Sequence, residues 1–251
     1  MILSVNNLSI EYNKKIVVKD INFDLPNGKI LAIVGESGSG KSTILKAIAG
    51  LLPSSGKISS GEIFYNGKNI TFLDEKERRK LAGSSIAMIF QNATDSFCPI
   101  RKVGEQIYES VKENKKCSYD EFLENAKIIM KKINLDESVL NQYPFKLSGG
   151  MGQRVGILSA MILNPKLLLA DEPTSALDIV TQLSVVEELL NLRKENNLSI
   201  VIVTHHLGVA YYMADYVLVM KKGSQIEFGT KEDVFYSPKK DYTRELIEAV
   251  K

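Results

Sequence analysis

Very little in this chain points to a charge-driven partner. Its 32 basic and 30 acidic residues leave a formal net charge of +2, so bulk charge demands neither a nucleic acid nor a membrane surface. Cysteine is scarce. Cys98 and Cys117 stand apart with no histidine near either, which argues against a disulfide framework or a thiolate metal site and fits a reducing compartment. No apolar run approaches the ~20 residues of a membrane span, and the N-terminus lacks a basic-then-apolar signal pattern. Any membrane role is therefore expected through partner proteins. Internal repeats, low-complexity tracts and long linkers are missing as well. The 251 residues, 44% apolar and 25% charged, suffice for one elaborated α/β domain or two small ones.

What the chain does have is a glycine-rich stretch, Gly35-Glu36-Ser37-Gly38-Ser39-Gly40-Lys41-Ser42, between the apolar run Ile30–Val34 and an amphipathic helix pattern from Thr43 to Leu51. It fits G-x-x-x-x-G-K-[ST]. Glycines let the backbone curl so that successive N–H groups, and the positive end of the following helix, point at one anion. Lys41 is placed to reach β- and γ-phosphates, and the Ser42 hydroxyl to be a ligand of the Mg²⁺ that bridges them.

In chain order, Leu3 to Tyr12 and Ile16 to Leu25 alternate apolar and polar residues around Asn13-Lys14-Lys15, which predicts an antiparallel hairpin. Pro53 to Gly61 reads as a Ser/Gly/Pro-rich connector, followed by a short hairpin over Glu62 to Tyr65 and the turn Asn66-Gly67. Ser85 to Phe90 is a buried strand that ends at Gln91, a polar side chain at a strand end. From Asn92 to Asn164 the pattern is helical, an inserted helical subdomain over 92–164. Within it Ser118 and Glu121 form a capping box, Cys117 and Phe122 a hydrophobic staple, and Phe122, Ala126, Ile129, Met130 and Ile133 share a face. The strand Leu167–Ala170, a helix whose Ile179, Leu183, Val186 and Leu190 share one face, and the strand Ile200–Thr204 then alternate, which implies a parallel sheet. The tail adds Tyr216 to Met220, Gln225 to Phe228 around a turn at Gly223, and an amphipathic helix carrying Tyr242, Leu246 and Val250.

Four constellations add chemistry to the phosphate loop. Asp171 and Glu172 close the strand from Leu167, and strand C-termini in open α/β sheets are where ligands sit. Asp171 is placed to hold Mg²⁺ through water, and Glu172 to polarise the water attacking the γ-phosphate. Leu147-Ser148-Gly149-Gly150-Met151 opens another helix. Ser148 suits its N-cap, and Gly149 and Gly150 let N–H groups approach a second phosphate; alone, the stretch is simply a good helix cap. His205, at the end of the strand from Ile200, is placed to bond the γ-phosphate with its tautomer open. Tyr12 can stack on adenine, although alone it reads as an ordinary strand tyrosine.

Taken in order, these motifs resemble the ATP-binding cassette ATPases of membrane transporters over essentially the whole chain. By that resemblance Tyr12 is similar to the adenine-stacking aromatic. Gly35 to Ser42 is similar to the Walker A loop, with Gly35, Ser37, Gly38, Ser39, Gly40, Lys41, Ser42 and Thr43 on the nucleotide. Gln91 resembles the Q-loop glutamine that joins Ser42 and Asp171 at Mg²⁺, and Leu147 to Met151 the signature motif, with Ser148, Gly149 and Gly150 on ATP. Asp171 is similar to the Walker B aspartate, Glu172 to the catalytic glutamate, Ser175-Ala176-Leu177-Asp178 to the D-loop and His205 to the switch histidine. The resemblance implies an α/β fold: a P-loop NTPase core with a mainly parallel sheet, an antiparallel β flank and the inserted helical subdomain, in one cassette domain over 1–251. It implies ATP and Mg²⁺ as cofactors. It also implies a second cassette met head to tail, each ATP lying between the Walker A loop of one and the signature helix of the other. Further implied partners are membrane-spanning permease subunits and an extracellular substrate-binding protein, with no nucleic acid. The expected place is the cytoplasmic face of the cell membrane, as a peripheral subunit.

Within that family, Gln91 to Ile107 resembles the peptide and nickel importer group. So does Ser237 to Thr243, where Lys240 and Asp241 replace a His-Pro pair. Peptide-importing members usually continue into a cysteine-bearing extension, whereas this chain stops at Lys251, so nickel, cobalt or a metal chelate is the expected cargo and short peptides the alternative. A soluble cassette ATPase of DNA repair or translation would carry coiled coils, zinc modules or a second cassette, and a small-molecule P-loop kinase would lack the stretch Leu147 to Met151. Gly152 and His206 depart from the family's pattern, which has a basic or polar residue at the first position and an acidic one at the second. Two histidines and two isolated cysteines are too few for a soft-metal cargo site. Asn92 to Arg101 is the expected contact with the membrane subunits.

Overall fold

The computed structural model describes residues 1–175 and 177–249. Val250 of the expected final helix and Ala176 of the Ser175–Asp178 stretch lie outside the described residues. Alternating sequence gives the first two strands, β1 (Leu3–Tyr12) and β2 (Lys15–Leu25), paired antiparallel around a turn in which Asn13 and Lys14 take positive φ. The apolar run forms β3 (Ile30–Gly35), and the loop after it feeds α1 (Lys41–Ala49). Next come β4 (Gly56–Tyr65), β5 (Lys68–Asn69), α2 (Glu75–Leu81) and β6 (Ile86–Ile89). The helical insertion holds α3 (Val103–Asn114), α4 (Tyr119–Lys132) and α5 (Gly149–Met161). Strands and helices then alternate through β7 (Leu167–Asp171), α6 (Ile179–Asn196), β8 (Ser199–Val203), α7 (Leu207–Met213), β9 (Tyr216–Lys221) and β10 (Ser224–Thr230). Helices α8 (Lys231–Tyr236) and α9 (Asp241–Glu248) follow.

One sheet runs β5-β4-β1-β2-β10-β9-β3-β8-β7-β6. The stretch β9-β3-β8-β7-β6 is parallel, while β5-β4-β1-β2 is an antiparallel flank. The parallel strands are apolar throughout because both faces are covered. In β3, Ile30, Ala32 and Val34 enter a core with the inserted helices, while Leu31 and Ile33 enter a second core under α1 and the flank. The capping box at the start of α4 forms as expected: the Ser118 N–H donates to Glu121 Oε2 at 2.8 Å, and the Glu121 N–H to Ser118 Oγ at 3.2 Å.

Two expectations need correction. Pro53 to Gly61 is not mainly a connector, because β4 begins at Gly56 and pairs with the far half of β1, Tyr12 opposite Gly56. Its glycines mask the strand: the Tyr12 ring covers Gly56, where a Cβ would collide with it, and Gly61 takes a φ of +86° opposite a register shift in β1. In α6, the expected face of Ile179, Leu183, Val186 and Leu190 is not the buried one. The helix buries Val185, Val186, Leu189 and Leu192, leaving Ile179 75% and Leu183 54% exposed.

Candidate functional site

Parallel pairing brings the chemistry to one sheet edge. Gly35 lies opposite Met220 and Asp171 opposite Val203, while β6 ends one residue before Phe90 and two before Gln91. The C-terminal ends of β3, β7, β8 and β6 therefore carry the phosphate loop, Asp171-Glu172, His205 and Gln91 side by side.

The loop is built for an anion. Gly38 and Gly40 have φ of +76° and +95°; open space surrounds the first, and Val17 and Val18 of β2 pack against the second. The Lys41 ammonium is buried and donates to the carbonyls of Gly35 at 2.9 Å and Glu36 at 2.8 Å. Burial pulls its pKa down, against Glu172, Asp171 and Glu36, which hold the charge. The Ser39 hydroxyl is buried with no hydrogen-bond partner. That hydroxyl lies on the Gly35 side of the loop, while the open space at Gly38 leaves room for a ligand oxygen.

Ser42 and Asp171 meet directly, the hydroxyl donating to Oδ1 at 2.6 Å. Burial raises the Asp171 carboxyl, partly offset by that hydrogen bond. Two hard oxygen donors at the phosphate side suit a magnesium ion. Glu172 has a φ of 47°, a strained value for a residue with a Cβ, and its N–H donates to the Val203 carbonyl at 2.9 Å. Its carboxylate reaches the imidazole of His205, with Oε2 at 3.0 Å from Nδ1. Where the carboxylate accepts in this pair, the proton lies on Nδ1. His206 next door is pulled down in pKa by burial and by His205.

The expected second anion site, at Ser148, stands elsewhere in the chain. Ser148 caps α5, its hydroxyl accepting from the Met151 N–H at 3.3 Å. Ser148 and Gly149 line a small cavity with Gln91, Thr94, Gln153 and Leu177, none of them from the phosphate loop. Gln91 also lies within 3.4 Å of the Ser175 hydroxyl. Gly152 is explained by packing: a Cβ there would lie 2.6 Å from the Thr94 methyl, and one on Gly156 would lie 2.5 Å from the Ala93 Cβ. The helix of Ser148 thus rests directly on the segment after Gln91.

Tyr12 is not gathered at the edge with the others. It ends β1 on the flank, over Gly56, in the hairpin whose other strand supplies Val17 and Val18 to the loop. Sequence reading missed Tyr242. Read as one apolar position of a helix, it instead donates its hydroxyl to Glu36 Oε1 at 3.2 Å, across 206 residues, a contact no local spacing signals.

Comparison with known proteins gives the family. A family model described as ABC transporter matches residues 18–175. The chain is 40% identical over 256 residues to the oligopeptide transport ATP-binding protein OppD of Bacillus subtilis (strain 168), covering 99% of this chain and 72% of that one. It is 38% identical over 256 residues to the dipeptide transport ATP-binding protein DppD of Lactococcus lactis subsp. cremoris, covering 99% and 73%. It is 39% identical over 254 residues to the metal-staphylopine import system ATP-binding protein CntD of Staphylococcus aureus, covering 100% and 93%. Among solved structures, it matches the dimeric post-hydrolysis state of the ATP-binding cassette MJ0796 bound to ADP and Pi. The TM-score is 0.81 at 29% identity, covering 91% of this chain and 98% of that one.

Proposed function

The chain belongs to the ATP-binding cassettes of ABC transporters, within the group of peptide and metal-chelate importers, and from that premise we propose that it powers the import of short peptides. It is an ATP-hydrolysing translocase subunit. The oligopeptide and dipeptide names of its relatives support a peptide cargo. This reverses the preference for nickel, cobalt or a metal chelate drawn from the sequence, because relatives named for oligopeptide and dipeptide transport match over 99% of this chain. A metal chelate is the second reading, supported by the 39% identity to the metal-staphylopine subunit.

The chain acts as one cassette. Gly35, Ser37, Gly38, Ser39, Gly40, Lys41 and Thr43 bind the phosphates of ATP, and Tyr12 stacks on its adenine. Ser42, Asp171 and Gln91 would hold Mg²⁺, which when bound neutralises charge on the phosphates. Glu172 takes the proton of the attacking water, with His205 and Gln91 orienting the reacting groups. Ser148, Gly149 and Gly150 serve the ATP of a second cassette, a copy of this chain or a homologue; the dimeric state of the MJ0796 cassette supports that pairing. Among the described residues no helix is long and apolar enough to cross a membrane, so permease subunits would carry the path and an extracellular binding protein the selectivity. Asn92 to Arg101, with Ile100 80% exposed, is the proposed contact with the permease.

The observation that carries this reading is the single sheet edge joining Lys41, the Ser42–Asp171 pair and the Glu172–His205 pair. Its test is Glu172→Gln in cells, with labelled dipeptide and a labelled nickel chelate as cargo. Hydrolysis should fall by ~10²–10⁴ with ATP still bound, as for loss of a general base, and dipeptide uptake should fall with it. Loss of chelate uptake with dipeptide uptake untouched would select the second reading. Hydrolysis at the wild-type rate would remove Glu172 from the mechanism.

A further inference from the structure

The phosphate loop is braced from outside by the end of the chain. The turn after β9 donates the Gly223 N–H to the Ser39 carbonyl at 3.1 Å, and the Met220 carbonyl fills the space beside Gly35. Lys221, the last residue of β9, places its ammonium 3.9 Å from the centre of the Tyr242 ring. The helix that carries Tyr242 is firmly seated. Glu227, itself buried, accepts the N–H groups of Lys239 and Lys240 at 2.8 and 3.3 Å, and Thr243 is fully buried. From this seat the Tyr242 hydroxyl donates to Glu36 at 3.2 Å. Burial, and then Glu36 itself, push the phenol's pKa up, so at neutral pH it remains a donor.

Glu36 is an awkward residue for this loop. Its carbonyl takes the Lys41 ammonium and its carboxylate favours the charge on that lysine. Once a triphosphate arrives, the same carboxylate, exposed on the phosphate loop, is a like charge beside an anion cradle. We propose that Tyr242 is a positioning residue for the ATP site, its hydroxyl holding the Glu36 carboxylate so that this charge does not oppose the triphosphate. Through it, the seating of α9 sets the affinity for ATP. This rests on the phosphate-loop reading above.

The test is steady-state ATP hydrolysis by four proteins: wild type, Tyr242→Phe, Glu36→Gln and the double variant. Phenylalanine keeps the ring under Lys221 and loses only the hydroxyl. KM for ATP should rise roughly 3–10-fold in Y242F, the scale of one partly exposed hydrogen bond to a charge, with kcat within about twofold of wild type. In the E36Q background, where no carboxylate is left to restrain, the same substitution should leave KM within about twofold. An unchanged KM in Y242F would overturn the proposal. So would an equal rise in both backgrounds, which would mark damage through the helix rather than release of the carboxylate. Wild type without saturable hydrolysis would instead sink the ATP-site reading itself, and the proposal with it.

Discussion

Burial sets the charge balance of Asp171 at the scale of one residue. Its carboxyl is raised chiefly by burial, with the Ser42 hydroxyl acting in the opposite direction. A carboxyl that holds its proton more tightly folded than unfolded carries no penalty below the ordinary carboxylate pKa. The penalty grows as pH rises towards the raised value and is complete above it. Asp171→Asn, which can still accept from Ser42, should therefore melt higher than wild type at pH 8 without nucleotide, with the difference shrinking in the acid range. Added MgATP should raise the melting temperature of wild type more than that of the variant. A variant less stable at pH 8 would mean that the ionised carboxylate is already compensated. The gathering of these residues at one edge was legible because the phosphate and cation chemistry expected of them fixes residue types at short spacings: Lys41 beside Ser42, Asp171 beside Glu172. The Tyr242–Glu36 and Gln91–Ser175 contacts were not, since each depends on how distant segments dock.

Among the elements, those defined by apolar runs were read correctly and those defined by partners were not. Strands β3, β7 and β8 stand out because both their faces enter a core. Helix α2 buries no side chain and carries mostly charged residues, so no periodicity announces it. Strand β4 is obscured by glycines that only the pairing with β1 explains, and α6 shows how an apolar stripe can be exposed while the adjacent stripe is buried. The seat of α5 is also a matter of partners. Gly156 lets that helix approach Ala93, a residue with no rotamer to move aside. Gly156→Val should destabilise the chain by about 1–3 kcal/mol through overpacking, a fall of roughly 3–10 °C in Tm for a chain of this size. Unchanged melting would show that α5 and the segment after Gln91 have room to separate.

At the scale of the whole molecule, two helix starts are proposed to bind anions, α1 after the phosphate loop and α5 at Ser148, and the cavity beside Ser148 has no lining residue from that loop. Two such sites in one chain make sense when each ATP is shared between subunits. The measurement that tests this most directly is complementation between two inactive variants. Lys41→Ala loses the ammonium proposed to meet the phosphates. Ser148→Asp keeps a good N-cap but sets a negative charge where the second phosphate contact is proposed. Each alone should hydrolyse ATP at background rate. Mixed, they form dimers in which one site joins an intact phosphate loop to an intact α5, and random pairing should restore about a quarter of the wild-type rate if the sites act independently. A mixture that stays at background, with dimers forming and each variant folded, would contradict a site built from two subunits.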